Sequence, residues 1–301
     1  MRKVIFSLAG AAFSFAAGGF AFAADMAVKA SPPAPAPVPT WTGFYGGIQF
    51  GGGWNDESVG YSANDLLSAQ VISGTLFGGQ PIPALRIPQS GLVGGVEAGY
   101  NWQWSNWVLG IEADFSLSGM SGTASGTSIF SALGPVTTQA AFATQDTDWY
   151  GTVRGRLGWL ATQNLLLFGT GGFAYGRVDG SANSAFNEAG AGPGNTITLV
   201  NPNGPPFFGT TCLFFNAPCY SGSSAEIRTG WTAGGGAEYL LDQHWSAKIE
   251  YQFVDLGTET VRLTAPACDC LVNGVQPGLS SFNAAFHDRF NVVRLGLNYR
   301  F

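Results

Sequence analysis

Apolar side chains recur at every second position in eight segments of the chain. The clearest segment is WVLGIEADFSL, where Trp107, Leu109 and Ile111 begin an apolar set and acidic residues fall between its members. A period of two places successive side chains on opposite faces of a β-strand, so each segment predicts a strand with one apolar and one polar face. The predicted strands cover residues 43–54, 91–104, 107–118, 147–160, 165–177, 226–241, 245–257 and 289–301.

The connections between these strands alternate between very short and long. Residues 105–106, 161–164 and 242–244 form the short ones, whereas the other four have about 28 to 48 residues. Tight turns at one rim and long loops at the other are typical of barrels in the bacterial outer membrane, which have an even number of strands. The predicted fold is therefore all-β: an eight-stranded, antiparallel, up-and-down transmembrane β-barrel with four long extracellular loops. The strand at 165–177 is apolar on both faces, so its register is left open.

The polar faces of the predicted strands carry charges of both signs. If the apolar faces meet lipid, these side chains point into the barrel: Glu97, Glu112, Asp114, Arg154, Arg156, Arg228, Glu238, Lys248, Glu250, Arg294 and Arg300. The interior of an eight-stranded barrel is just wide enough for side chains to fill it. Buried charges must also pair or form hydrogen bonds. We expect an interior plugged by paired charges, with a narrow, gated or oligomer-dependent pore as the alternative.

Composition supports a membrane barrel over a water-soluble globule. The chain contains 44 Gly, 23 Phe and 9 Trp, and only 11% of its residues are charged, a balance that is unusual for a soluble domain. Without Arg2 and Lys3, which lie in the predicted signal peptide, 11 basic residues stand against 19 acidic ones. This net charge of −8 argues against nucleic acid as a partner.

The N-terminal region predicts export. Residues 1–23 combine a basic start, an apolar run and small residues at Ala21 and Ala23, the pattern of a secretory signal peptide. Residues 24–40 are rich in Pro and Ala and predict an extended periplasmic tether. The barrel is then expected over 41–301. At its end, Tyr299 and Phe301 belong to the outward aromatic set of the last strand.

All four cysteines fall in predicted long loops, Cys212 and Cys219 in the third and Cys268 and Cys270 in the fourth. An oxidising periplasm favours disulfides. A bond between Cys268 and Cys270 would close a very small, strained ring, so two bridges between the loops are predicted rather than two local ones. Metal binding by Cys-Asp-Cys would need further ligands nearby, and no metal site is predicted.

Candidate chemistry is sparse. A hydrolase of this architecture needs a general base, and the chain contains two histidines. His244 lies in a predicted periplasmic turn, and His287 lies beside Asp288 at the outer rim, where a structural role is favoured. No enzyme and no cofactor are predicted. A haemin receptor would use a loop His or Tyr as its iron ligand, and His287 and Tyr220 are the candidates.

Several motifs resemble a known family. The segments AADMAVKA, WTGFYGG, LLLFGTGGFAYG, GWTAGGGAEY and the final NVVRLGLNYRF are similar to those of the alphaproteobacterial outer-membrane immunogenic proteins, also called porin-family surface-antigen barrels. The resemblance covers the strands and leaves the long loops uncovered. It implies an OmpA-like eight-stranded barrel at the cell surface that contributes to envelope integrity and to host or environmental contact, with haemin binding in some members. It also implies that a terminal Phe such as Phe301 is read by the barrel-assembly machinery.

The sequence thus predicts a structural and surface-interaction barrel in the outer membrane of a Gram-negative cell. Its expected partners are outer-membrane lipid and lipopolysaccharide, the barrel-assembly machinery, and host or environmental ligands at the loops. A small-solute porin is the first alternative and a haemin-binding surface receptor the second.

Overall fold

The computed structural model describes residues 40–75, 78–130, 137–188, 195–201, 208–213, 218–267 and 278–301. The predicted signal peptide at 1–23 and nearly all of the predicted tether at 24–40 lie outside these residues. In chain order the elements are β1 (Gly43–Ser58), β2 (Gly60–Ala63), α1 (Leu66–Ser73), β3 (Arg86–Trp104), β4 (Trp107–Phe130), β5 (Thr137–Leu160), β6 (Leu165–Glu188), β7 (Thr196–Asn201), β8 (Phe208–Leu213), β9 (Pro218–Leu240), β10 (Trp245–Thr264) and β11 (Ser281–Arg300). Among the described residues, no helix is long and apolar enough to cross a membrane.

Eight long strands close into a ring. Their order is β1-β3-β4-β5-β6-β9-β10-β11, and β11 pairs antiparallel with β1 to complete the circle. The short β2 adds to the outer end of β11, and β7 and β8 form a separate two-stranded sheet within the third long connection. The predicted eight-stranded antiparallel barrel is confirmed.

The outer face of the ring is an apolar belt between two sets of aromatic side chains. Leucine, isoleucine, valine and phenylalanine side chains on alternate positions are exposed, among them Phe50, Leu109 and Leu295. The aromatic set near the short turns contains Trp102, Trp104, Trp107, Trp159, Tyr239, Trp245, Tyr299 and Phe301, and the opposite set contains Trp54, Trp231 and Tyr251. An apolar band flanked by aromatic girdles is the lipid-facing surface of a membrane barrel. We call the end with the short turns the lower end.

The inner face is divided into layers, as the inward side chains of β10 show. From the lower end upward, the order is Ser246, Lys248, Glu250 and Gln252, then Val254 and Leu256, then Glu259, and finally Val261 and Leu263. All of these side chains are buried. The same order appears on β11, where Asp288 separates Phe286 from Phe290. The interior therefore contains a lower polar layer, an apolar layer, an upper polar layer and an apolar cap.

Two apolar clusters close the ends of the barrel. At the lower end Trp41, which follows the predicted tether, packs with Val108, Leu160, Leu166 and Leu240. Its backbone N–H donates to Gln103 Oε1 at 2.7 Å. The cap at the upper end combines inward side chains of the barrel strands with residues of α1, β7 and β8. Both ends of the interior are thus packed with apolar side chains.

The strands extend far beyond their predicted upper ends. β4 was predicted to end at residue 118 and continues to Phe130, while β5 was predicted to begin at 147 and begins at Thr137. Above the lipid-facing belt the outward positions of 119–130 are Gly, Ser, Thr and Ile, so the contrast between an apolar and a polar face disappears. The predicted boundaries were wrong because they marked the ends of the apolar belt instead of the ends of the strands.

The wall of the barrel is interrupted on both sides of the upper β10–β11 hairpin. Pairing between β9 and β10 stops after Asp255 and Trp231 and resumes at Thr264 and Ser221. Pairing between β1 and β11 ends at Trp54 and Asn291. Above the belt, this hairpin is therefore joined less tightly to the rest of the wall than the other strands are.

Candidate functional site in the barrel interior

Nine of the eleven predicted inward charges meet in the lower polar layer. We call Glu97, Glu112, Asp114, Arg154, Arg156, Glu238, Lys248, Glu250 and Arg294 the lower charge layer. The strand register builds it, because Glu112 lies opposite Arg154, Lys248 opposite Glu238 and Glu250 opposite Arg294 on neighbouring strands. Cross-strand neighbours of opposite charge attract one another. Every member is buried.

The cations of this layer bridge several carboxylates each. Arg154 forms ion pairs with Glu112 and Glu250, and its Nη2 lies 3.0 Å from Asp114 Oδ2. Arg294 Nη2 lies 3.1 Å from Asp114 Oδ2 and 3.0 Å from Glu250 Oε2. Breaking one pair inside such a network leaves an uncompensated buried charge, so the network holds the strands of the ring in one arrangement.

Three carboxylates of the layer converge in the manner of a metal site. One oxygen each of Glu97, Glu112 and Glu250 lies within 4.8 Å of the others. The ammonium group of Lys248 occupies this cluster: it pairs with Glu97, and its Nζ lies 3.3 Å from Glu112 Oε2 and 3.4 Å from Glu250 Oε2. A side chain of the protein thus supplies the positive charge that the three carboxylates require.

Sequence reasoning missed two aromatic residues of the layer. Tyr45 Oη donates to Glu112 Oε2 at 2.6 Å, and the Phe168 ring lies 4.0 Å from the guanidinium carbon of Arg156, a cation–π contact. Phe168 belongs to the strand whose register was left open; the structure points Leu166 and Phe168 inward and Leu167 outward. The sequence signal for Tyr45 is the alternation of faces, because Tyr45 follows the outward Phe44 and lies four residues before the inward Gln49. The glycines of this strand obscure that alternation.

Two of the predicted inward charges lie outside the lower charge layer. The guanidinium carbon of Arg300 lies 5.1 Å from the centroid of the Trp41 ring, and the side chain donates to the Thr40 carbonyl. Arg228 lies above the belt with its side chain 24% exposed, where it donates to the Thr258 carbonyl and pairs with Glu226 at 3.6 Å. Arg300 therefore holds the entering chain, and Arg228 bridges the interruption between β9 and β10.

The upper polar layer contains two acidic side chains, Glu259 and Asp288, which we call the upper acidic pair. Their exposed fractions are 1% and 2%. Asp288 Oδ1 accepts a hydrogen bond from Gln145 Nε2, whereas Asp288 Oδ2 has no partner among the described residues. The Oε atoms of Glu259 have only a weak contact with the Ser224 hydroxyl, which lowers the pKa of Glu259 without offsetting its burial. Burial, reinforced by the charge of Glu259, raises the pKa of Asp288 to about 7. Burial also raises the pKa of Glu259.

The residues considered for catalysis and for haemin binding are not brought together. His287 and Asp288 are neighbours on strand β11 and not in a loop; Asp288 faces inward, while the Nδ1 atom of His287 lies 2.9 Å from Thr258 Oγ1. Tyr220 is buried in the cap, and its Oη donates to Ser280 Oγ at 2.9 Å. The two side chains diverge because consecutive strand residues point to opposite faces. His244 lies in the short turn between β9 and β10.

The predicted bridges between loops are wrong for the third loop. Cys212 and Cys219 form a disulfide with each other, with their Cα atoms 5.0 Å apart. Cys212 belongs to β8 and Cys219 to β9, the next strand along the chain. This separation suits a disulfide, and sequence spacing alone does not reveal it. Cys268 and Cys270 lie outside the described residues.

The last residues of the chain lie at the lower aromatic girdle. Phe301 is 83% exposed, its ring contacts Tyr299 at 5.2 Å in an edge-on arrangement, and its N–H donates to the Phe44 carbonyl at 3.1 Å. This contact ties the end of the last strand to the first strand. The two residues therefore belong to the lipid-facing surface at the point of ring closure.

The closed ring, its apolar belt and its aromatic girdles define a membrane-spanning β-barrel of the outer-membrane type. Comparison with known proteins agrees. Residues 14–301 match the family described as outer membrane protein beta-barrel domain. The chain is 34% identical over 306 residues to the 31 kDa outer-membrane immunogenic protein of Brucella melitensis, and the alignment covers the whole of both chains.

A second relative is the 22 kDa outer membrane protein of Rhizobium leguminosarum bv. viciae, with 24% identity over 265 residues, 88% of this chain and 80% of the relative. Among solved structures, the outer membrane protein OprG from Pseudomonas aeruginosa gives a TM-score of 0.37 at 11% identity, covering 86% of this chain and 97% of OprG. The chain belongs to the outer membrane protein β-barrel family and resides in the outer membrane.

Proposed function

We propose that the barrel is a structural and surface-interaction protein of the outer membrane, without catalytic activity and without a conducting pore. The observation that carries this proposal is the filling of the interior at successive heights. The Trp41 cluster, the lower charge layer, an apolar layer, the upper polar layer and the apolar cap follow one another along the axis. A solute crossing this barrel has to displace all five.

The small-solute porin is the alternative. Its passage would require the lower charge layer to open, and the buried ion pairs of Arg154 and Arg294 oppose opening because separated charges would remain in a low-dielectric interior. Planar-bilayer recording of the purified, refolded full chain tests this point. We expect no stable conductance steps, with insertion verified by protease protection of the lipid-facing strands. Reproducible single-channel steps would establish the porin alternative instead.

The surface role rests on the upper part of the barrel. β4, β5 and β6 each contain 24 residues, more than twice the roughly 9–11 residues that a strand needs to cross a membrane. Their upper halves present Ser, Thr, Asn and Asp side chains on the outside, above the belt. Intact-cell labelling of a tag inserted within residues 131–136, between β4 and β5, tests surface display. Labelling only after permeabilisation would reject it.

A haemin receptor built on Tyr220 and His287 receives no support from their positions. Haemin titration of the refolded barrel is expected to leave the Soret band of free haemin unchanged. A shifted Soret band that is lost in His287→Ala would favour the receptor.

We also propose that Phe301 is read by the barrel-assembly machinery. Its exposed ring and its place at ring closure support this role. Deleting Phe301 is expected to reduce the folded, heat-modifiable form in membranes while leaving export to the periplasm unchanged. The control is Phe44→Ala, which removes an exposed aromatic ring beside Phe301 on the first strand and is expected to have the smaller effect. Equal folding of wild type and the Phe301 deletion would contradict the proposal.

A further inference from the structure

The upper acidic pair lies at one point of the inner wall. Glu259 on β10 is opposite Phe286 on β11, and Asp288 is two residues further along the same inward face. Diagonal neighbours of this kind have Cα atoms about 7–8 Å apart, which lets long side chains approach each other. The two carboxylates also interact electrostatically, because the charge of Glu259 raises the pKa of Asp288.

The surroundings offer these carboxylates little compensation. Val254, Leu256 and Phe290 lie in the apolar layer below them, and Val261 and Phe286 belong to the cap above. The unpartnered side-chain atoms at this height are all oxygens: Asp288 Oδ2, both Oε atoms of Glu259, and Oδ1 of the buried Asn55. Apart from the Ser224 hydroxyl, which acts weakly on Glu259, these buried acceptors meet no donor among the described residues. Such a set calls for a positive ligand.

The cationic side chain that acts on both carboxylates is directed elsewhere. Arg228 influences Glu259 and Asp288 through its charge, yet its guanidinium donates to the Thr258 carbonyl and pairs with Glu226. In the lower charge layer, by contrast, the ammonium of Lys248 enters the carboxylate cluster itself. Among the described residues, no Lys or Arg forms an ion pair with either member of the upper acidic pair.

Amide groups orient the oxygens of this site. Asn55 Nδ2 donates to Gln89 Oε1 at 3.4 Å, and Gln89 Nε2 donates to the Gln145 carbonyl at 2.9 Å. Gln145 Nε2 in turn donates to Asp288 Oδ1. This chain fixes one oxygen of Asp288 and leaves the other free for a ligand. Carboxylate and amide oxygens are the donors that hard divalent cations prefer, and Ca²⁺ accepts them in flexible geometry.

We propose that Glu259 and Asp288 bind a calcium ion within the upper polar layer, with Asn55 Oδ1 as a further oxygen donor. The ion takes the role that Lys248 plays in the lower charge layer and neutralises the two carboxylates between the apolar layers. The interruption between β9 and β10, beside Glu259 and Arg228, provides the route from the outside.

Isothermal titration of CaCl₂ into the refolded full chain in uncharged octyl glucoside micelles tests the proposal. After chelator treatment, the wild type is expected to show one saturable site with a dissociation constant of about 10⁻⁴–10⁻³ M, typical of extracellular calcium sites. The double variant Glu259→Gln/Asp288→Asn is expected to bind at least tenfold more weakly. Asp148→Asn, which removes an exposed carboxylate on the outer face of β5, serves as the matched control and is expected to bind like the wild type.

Thermal unfolding supplies a second readout. Calcium is expected to raise the midpoint of the wild type and of Asp148→Asn, and to leave the midpoint of the double variant unchanged. Should the double variant not fold, Glu259→Gln alone is expected to weaken binding about tenfold. The absence of a saturable site in the wild type would overturn the proposal, and so would unaltered calcium affinity in a folded variant.

Discussion

The two polar layers of the barrel differ in how their buried carboxylates are compensated. In the lower charge layer, five carboxylates meet four cationic side chains, and Lys248 sits among three of those carboxylates. In the upper acidic pair, Glu259 and Asp288 are equally buried, but among the described residues neither forms an ion pair, and the hydroxyl of Ser224 is a weak partner for Glu259. The difference teaches that burial of charge in this barrel has two outcomes, a closed network within the membrane and an incomplete site above it.

The positions of the layers fit their roles. The lower charge layer lies at the height of the apolar belt, where the surrounding lipid offers no counterion and the chain has to supply every charge. The upper acidic pair lies above the outer girdle, beside an interruption of the wall through which we propose that ions enter from outside. A self-sufficient network therefore suits the membrane-spanning part, and a ligand-dependent site suits the surface part.

Removing the central cation of the lower charge layer is expected to have the largest effect. Lys248→Met keeps the length of the side chain and leaves Glu97 without its ion-pair partner. Loss of one partner of a buried pair costs about 3–5 kcal/mol. Urea unfolding of the detergent-folded barrel, followed by tryptophan fluorescence, measures the loss. The double variant Lys248→Met/Glu97→Gln is expected to recover part of it, and a Lys248→Met barrel as stable as the wild type would show that the network contributes little.

Neutralising the upper acidic pair is expected to act in the opposite direction. In the presence of EDTA, Glu259→Gln/Asp288→Asn removes two buried carboxylates that lack cationic partners, and the free energy of unfolding should rise by roughly 1–3 kcal/mol. The same urea experiment checks the sign. Destabilisation in EDTA would mean that the two carboxylates are compensated within the chain, and the contrast between the layers would disappear.

Filling the space beside Tyr45 is expected to disturb the lower charge layer by packing alone. A methyl group on Gly99 would lie 2.5 Å from the Cζ and Oη atoms of Tyr45, whose hydroxyl donates to Glu112, and 2.6 Å from the Ile111 carbonyl oxygen. Gly99→Ala is therefore expected to cost about 1–3 kcal/mol, the usual price of overpacking. Gly94→Ala, on the lipid-facing side of the same strand, meets its neighbours at 3.6 Å and is the control with little effect. Equal stability of both variants would show that Tyr45 and the backbone at Ile111 both adjust freely.

The sequence determined much of the lower charge layer in advance, because alternation within the apolar belt assigns each side chain to a face. It did not place Phe168, since both faces of that strand are apolar. Glu259 was missed for another reason. Inward residues of β10 have even numbers up to Leu256 and odd numbers from Glu259 onward, because a bulge with Gly257 at φ 89° shifts the register. Glycine adopts such a positive φ without strain, but the presence of a glycine in the sequence does not reveal the shift in register.

Charged residues on the outer wall above the belt lie in water, in contrast to the two buried polar layers. Substituting one of them is expected to have the smallest effect on stability. Asp146 lies directly opposite Asp179 on β6, and partial burial, with Asp148 and Asp179 nearby, raises the pKa of Asp146. A raised carboxyl pKa means that the folded protein holds its proton to higher pH than the unfolded chain, so this group reduces stability as the pH rises above its unfolded value. Asp146→Asn is expected to stabilise the barrel at pH 7 by about 0.2–1 kcal/mol.

This gain should vanish near pH 3, where Asp146 is protonated in both states, and should shrink in high salt because exposed charges are screened. The control is Asp148→Asn, whose carboxylate lies 3.3 Å from Arg177 and is therefore expected to give no gain at pH 7. Unfolding curves at pH 3 and pH 7, each at low and high salt, separate the two variants. A gain for Asp146→Asn that is independent of pH would show that like-charge repulsion is not its cause, and that even above the belt the wall responds to packing more than to charge.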